Sequence, residues 1–129
     1  MASSSTRLKR RAEFLHVAAK GRKAPMPGLV LQSLARNDDA PARLGFTVTK
    51  KVGNAVVRNR TRRRLREAAR LLLRDHSLRD QPLLGMDLVL IGRSGTRSRN
   101  FRALIDDIAR ALRKTDSIRK AGAPSGIPR

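Results

Sequence analysis

Eight arginines lie between Arg58 and Arg74, preceded by Lys50 and Lys51 and interrupted by a single acid, Glu67. A guanidinium is a planar fork that pairs bidentately with phosphate and stacks on bases, which a lysine ammonium does not do. With Leu65 as zero and about 100° per residue, Thr61, Ala68, Ala69 and Leu72 fall within about 40° of it, and Val57 and Leu73 lie at the margins. Arg60, Arg63, Arg70 and Arg74 fall on the far side. Charged helix faces are ordinarily solvated and mixed in sign. Here like charges recur at i,i+3 and i,i+4, which costs helix stability, and a polyanion laid against the face would offset that cost. The patterning therefore points to nucleic acid as the partner. Asn59 is the neutral member of the run. Its amide donates and accepts at once, so it could meet a base edge or a 2′-hydroxyl, or cap the helix.

Groups suited to bond cleavage by the protein itself are scarce. A nuclease needs a general acid and base, or carboxylates gathered on metal. His16 and His76 are the only histidines, and each reads as an ordinary surface residue. Asp38 and Asp39 fall in a turn, where such residues make local hydrogen bonds. Asp106 and Asp107 fall near the middle of a helical pattern, largely off its apolar stripe. Neither pair has a partner at metal-ligand spacing, and the chain has no cysteine. There is no Walker loop, no Gly-x-Gly-x-x-Gly and no nucleophile elbow. The sequence thus assigns no catalytic side chain and no metal ligand.

The elements that must position the basic run follow from periodicity. Residues 1–7 read as a frayed basic arm. Their serine-rich, acid-poor start is also compatible with a transit peptide. Leu8 to Lys20 is a helix, with Phe14, Val17 and Ala18 on one side and Gly21 as its stop. Ala24 to Gly28 contains two prolines and reads as a loop or irregular edge strand. Leu29 to Ala35 is apolar on both faces, hence an internal strand. After the turn Asn37-Asp38-Asp39-Ala40-Pro41, Arg43 to Lys50 alternates cleanly, with Leu44, Phe46 and Val48 on one side. It reads as a half-buried strand antiparallel to the previous one.

Gly53 ends that strand, and Asn54 or Asn59 caps the arginine helix, which runs to about Asp75. His76 to Gly85 is a loop, Met86 to Gly92 the most apolar and central strand, and Ser98 the cap of a last helix. Phe101, Leu104, Ile105, Ile108 and Leu112 give that helix a complete apolar stripe. From Thr115 the chain has no periodicity and reads as a disordered basic tail. The sum is one α+β domain over residues 8–114, a small mixed four-stranded sheet packed by three helices.

Composition sets the outer limits. At 129 residues with three phenylalanines and no tryptophan or tyrosine, a modest aliphatic core is expected. The formal net charge of +20 steers the chain towards polyanions: nucleic acid, an anionic membrane surface or an acidic protein. The longest apolar stretch, Leu83 to Ile91, is broken by Gly85 and Asp87 and is far too short to span a bilayer.

The block Phe46-Thr47-Val48-Thr49-Lys50-Lys51, Gly53-Asn54-Ala55-Val56, Arg58-Asn59-Arg60 and Arg63, Leu65, Arg66 resembles the Arg-Asn-Arg signature of the bacterial ribonuclease P protein subunit. Weaker agreement extends from about Leu8 to Lys114. The resemblance implies a cytoplasmic partner of a large catalytic RNA, which together remove the 5′ leader from precursor tRNA, with magnesium held mainly by the RNA. It implies a left-handed crossover in the strand–helix–strand unit. It places contacts with the catalytic RNA on Lys50, Lys51, Arg58, Asn59, Arg60, Arg63 and Arg66. It also implies a leader-binding cleft between the first helix and the sheet, at Phe14, Ala18 and Gln32. The family often carries aromatic rings at the last two positions, so the leader should here be held more by charge and less by stacking.

Three other readings compete. A structural ribosomal-type RNA-binding protein shares the size, charge and tails. A DNA-binding helix module lacks the short-turn partner helix before the basic helix, and DNA is not expected as a partner. A membrane-surface protein would want aromatics opposite the charge, and no membrane partner is expected.

Overall fold

The computed structural model describes residues 5–75 and 84–115. In chain order these are β1 (Ser5–Arg7), α1 (Arg11–Lys20), β2 (Arg22–Pro25), β3 (Leu29–Ala35), β4 (Ala42–Val48), a 3-10 turn (Lys50–Val52), α2 (Ala55–Asp75), β5 (Met86–Gly92) and α3 (Phe101–Lys114). The sheet is mixed, in the order β1-β4-β5-β3-β2. The four expected strands and three helices all form, and β1 lengthens one edge.

The strand β1 corrects the frayed-arm reading for Ser5–Arg7. These residues pair in parallel with β4, Arg7 opposite Leu44, and Leu8 N–H donates to Leu44 C=O at 2.9 Å. The physical cause is the open edge of β4, whose unpaired backbone groups need partners, with buried Leu8 anchoring the segment. The expected start of α1 at Leu8 shifts accordingly to Arg11. Glu13 Oε1 accepts from the backbone N–H groups of Lys9 and Arg10, each at 3.0 Å, and so closes the first turn of the helix. Gly21 does end α1, but in an extended conformation (φ −86°), because the chain turns straight into β2.

β4 runs antiparallel to β3, as expected, but is not its hydrogen-bonded neighbour. β5 lies between them, antiparallel to β3 and parallel to β4. Local alternation cannot show this, since it fixes a strand's faces and not its neighbours. The cap of α3 also moves. Asn100, not Ser98, accepts from Ala103 N–H at 3.1 Å, while Ser98 stays within the preceding turn. Of the loop expected over residues 76–85, positions 76–83, with His76, lie outside the described residues, as do positions 116–129 of the tail expected from Thr115.

Alternation divides the core between the two sheet faces. On one face Leu31, Leu44, Leu88 and Leu90 meet Leu65, Ala68 and Leu72 of α2 and Leu104, Ile108 and Leu112 of α3. These are the stripes read from the sequence. On the other face a smaller cluster, Leu8, Val17 and Val89 with Phe14, Leu34 and Ile91 packed against it, lies under α1. Asp107, expected largely off the apolar stripe, is fully buried. It accepts from Gly28 N–H at 3.0 Å and from the Arg99 fork at 2.9 and 3.1 Å. A buried charge is tolerable when so paired, and this one joins the β2–β3 turn to α3.

Candidate nucleic-acid interface

The arginine helix starts where β4 ends. Gly53 sits at φ 155°, a backbone conformation that side chains disfavour. Asn54 Oδ1 then accepts from Val57 N–H at 3.0 Å, which decides the cap in favour of Asn54. Arg58 NH1 donates to Gly53 C=O at 3.1 Å and braces the same turn. Asn59 lies inside the helix, where its Oδ1 accepts from Arg62 NH1 at 2.7 Å.

The basic side chains then sort into three directions around α2. Outermost are Arg60 and Arg63, exposed and without an ion-pair partner among the described residues, and Arg70, which pairs with Glu67 at 2.6 Å. Lys50 and Lys51 are exposed on the leading turn. Towards α3, Arg64 stacks 5.2 Å from the Phe101 ring centre and donates to Arg99 C=O. Towards the β1 edge, Arg66 is half-buried, 5.8 Å from the Phe46 ring centre. Burial first, and then the like charges of Arg7, Arg62 and Arg63, lower the Arg66 guanidinium from its ordinary value.

On the opposite face of the sheet lies an open cleft of about 450 Å³ between α1 and the strands. Register builds its floor. Gln32, Val89 and Gly45 are direct cross-strand neighbours, as are Thr47 and Ile91. Phe14, Leu15 and Ala18 come from α1, with Lys9 and Arg11 at the rim. Phe14, Ala18 and Gln32, fourteen residues apart at the least between helix and strand, therefore share one cavity. A Cβ at position 45 would lie 2.6 Å from the Phe14 ring, so glycine is what lets that ring rest flat on the strand. Gln32 is buried in the floor of the cleft.

A ladder of ion pairs holds α1 over this floor. Asp87 Oδ1 accepts from Arg36 NH1 at 2.6 Å and Arg43 Nε at 2.8 Å, and its Oδ2 from Arg43 NH2 at 2.7 Å. Arg43 NH1 reaches on to Glu13 of α1 at 2.9 Å. Burial would raise the Asp87 carboxyl, but the hydrogen bonds and charges of Arg43 and Arg36 outweigh it and hold the group below its ordinary value. Backbone N–H groups of Arg10 and Lys9 likewise lower Glu13.

This arrangement has the chemistry to hold anions rather than cations. Five of the described carboxylates, Glu13, Asp38, Glu67, Asp87 and Asp107, are engaged by arginines. No three His, Cys, Asp or Glu side chains converge on a point where a metal could sit among the described residues. His16 is exposed. Among the described residues no helix is long and apolar enough to cross a membrane. Sequence reasoning missed Arg7, which only strand pairing brings to α2, and Arg64, whose angle beside the apolar stripe was a usable signal for a contact with a neighbouring helix.

Comparison with known proteins gives one result throughout. The family model described as Ribonuclease P matches residues 2–116. A ribonuclease P protein component from Gluconacetobacter diazotrophicus is 67% identical over 114 residues, covering 88% of this chain and 94% of that one. One from Brevibacillus brevis is 34% identical over 122 residues, covering 95% and 92%. Among solved structures, the ribonuclease P protein of Thermotoga maritima superposes with a TM-score of 0.67 at 27% identity, covering 84% and 96%.

Proposed function

The chain belongs to the ribonuclease P protein family, the protein components of ribonuclease P, and from that premise we propose how its two surfaces divide the work. The arginine face of α2 and its leading turn bind the catalytic RNA through Lys50, Lys51, Arg58, Asn59, Arg60, Arg63 and Arg66. The cleft under α1 holds the single-stranded 5′ leader of precursor tRNA against Phe14, Ala18 and Gln32. The observation that carries this reading is the placement, on opposite faces of one five-stranded sheet, of the cleft and of guanidinium groups without an ion-pair partner among the described residues. A single small domain can thereby touch two RNAs at once. Phe14 offers one stacking platform, and Lys9 and Arg11 supply charge at the rim.

Bond cleavage is assigned to the RNA, and magnesium with it. The described side chains do not form a magnesium cage, whereas RNA phosphates are the hard oxygen ligands that this ion prefers. The cytoplasm, where precursor tRNA is processed in bacteria, is the proposed location. The relatives reported above are ribonuclease P proteins, which favours this reading over a structural role on ribosomal RNA.

The test is a salt titration of binding to isolated ribonuclease P RNA, with circular-dichroism melts alongside. Arg60→Ala and Arg63→Ala should each leave the melt within about 0.5 kcal/mol of the parent, as exposed substitutions usually do. Each should reduce the log–log salt slope by roughly one unit on the duplex scale. Parental binding by both variants across the salt range would show that α2 does not face the RNA.

A further inference from the structure

Arg63 and Arg66, already placed on the RNA face, are joined by Arg7 and Arg62, which are not, where α2 overhangs the β4 edge. Arg7 pairs opposite Leu44 in the β1–β4 register, which puts its side chain on the same sheet face as Phe46 and α2. Arg66 lies over the Phe46 ring. Arg62, one helical turn before Arg66, is tethered by Asn59, and Arg63 stands beside them. Burial first, and then the like charges of Arg7, Arg62 and Arg63, disfavour the charged form of Arg66.

No carboxylate among the described residues pairs with any of these four. Arg66 Nε is buried and has no hydrogen-bond partner there. A three-residue strand that delivers one more cation to this spot is unfavourable electrostatically unless an anion joins it. Phe46 also contributes to the wall of the cleft on the other face. Phe46 thus borders both the cleft and the cluster.

We propose that Arg7, Arg62 and Arg66 form a phosphodiester-binding site on the β1 flank of α2, so that the N-terminal strand is itself part of the RNA interface. This rests on the reading of α2 as RNA-binding. The ligand is an RNA backbone phosphate, supplied either by the catalytic RNA or by the leader as it leaves the cleft. Neighbouring guanidinium forks, one of them over a ring that borders both surfaces, suit such a phosphate.

The experiment uses the full chain with Arg7→Ala, Arg66→Ala, the double variant, and Lys114→Ala as a control for loss of one exposed charge at the far end of α3. One arm titrates isolated ribonuclease P RNA with salt. The other measures, in the reconstituted enzyme, affinity for precursor tRNA with and without its leader. The counterion-release slope makes one phosphate contact worth about fivefold in affinity near 0.15 M salt. Arg7→Ala should lose about that much in one arm, which identifies the source of the phosphate. Lys114→Ala should lose clearly less. Arg66→Ala should cost less on the Arg7→Ala background than alone, because the two share a ligand. Arg7→Gln, which keeps the side-chain stem, replaces Arg7→Ala should the melt show that β1 is lost. Parental affinity of Arg7→Ala in both arms, a loss matched by Lys114→Ala, or strictly additive losses would overturn the site. Arg60→Ala and Arg63→Ala separate the two ideas: their loss of binding while Arg7→Ala binds normally rejects this site and keeps the RNA face.

Discussion

Replacing Asp87 by asparagine tests the ladder that seats α1 over the cleft. Asp87 is central in the sheet with a side chain 4% exposed, while Arg36 and Arg43 are 15% and 34% exposed. The carboxylate accepts three hydrogen bonds from the two guanidinium groups. An amide offers one oxygen, and its NH₂ would oppose an arginine N–H, so at least one bond is lost along with the charge. Breaking a buried pair from one side costs about 3–5 kcal/mol. Arg43 reaches water and keeps Glu13, and Arg36 keeps Asp38. Screening and these remaining partners reduce the expected loss to about 2–3 kcal/mol, or a Tm lower by about 7–11 °C for a domain of this size.

The pH dependence carries a definite sign. The folded-state pKa of Asp87 is depressed. Its contribution is therefore full above the unfolded value of about 3.9 and fades as pH falls through the folded value. Urea unfolding followed by circular dichroism from neutral to acidic pH should show a parent–variant gap that is constant near neutrality and narrows in acid below about pH 4. Glu13 and Asp38, also depressed, titrate in both proteins and drop out of the difference. A gap under about 0.5 kcal/mol at neutral pH, the scale of an ordinary surface change, would refute the argument, as would a gap that stays constant into acid.

Two further outcomes follow from the geometry. Phe14→Ala should weaken leader-bearing precursor tRNA relative to mature tRNA by about 1–3 kcal/mol, the worth of one stacked base; equal losses for both RNAs, measured by competition binding, would assign the ring to the core beside Val17 and Val89 alone. Arg64→Ala should destabilise the fold by about 1–2 kcal/mol through loss of the Phe101 contact and the bond to Arg99, with little change in the salt slope, so that melts and salt titrations together separate this structural arginine from Arg60 and Arg63.

Sequence alone determined whatever depends on local period and local chemistry. The stripe Leu65, Ala68, Leu72 and its partner Leu104, Ile108, Leu112 are buried where the 3.6-residue period places them. Leu29–Ala35 and Met86–Gly92 are internal strands because both of their faces are apolar. The nearly unmixed charge of α2 sets up the expectation of a polyanion, because a one-sign helix face is costly without one. Tertiary structure decided what depends on which distant segments meet. Insertion of β5 between β3 and β4, pairing of Arg7 beside Arg66, burial of Asp107 under Arg99, and convergence of Phe14, Ala18 and Gln32 on one cleft are all outcomes of sheet order and register. No local rule encodes these, since alternation tells a strand which face to bury but not which neighbour will complete its hydrogen bonds. The division of the arginines has the same origin. Arg60, Arg64 and Arg66 are chemically identical, and only the neighbours of α2 leave the first exposed, lock the second against Phe101 and set the third over Phe46.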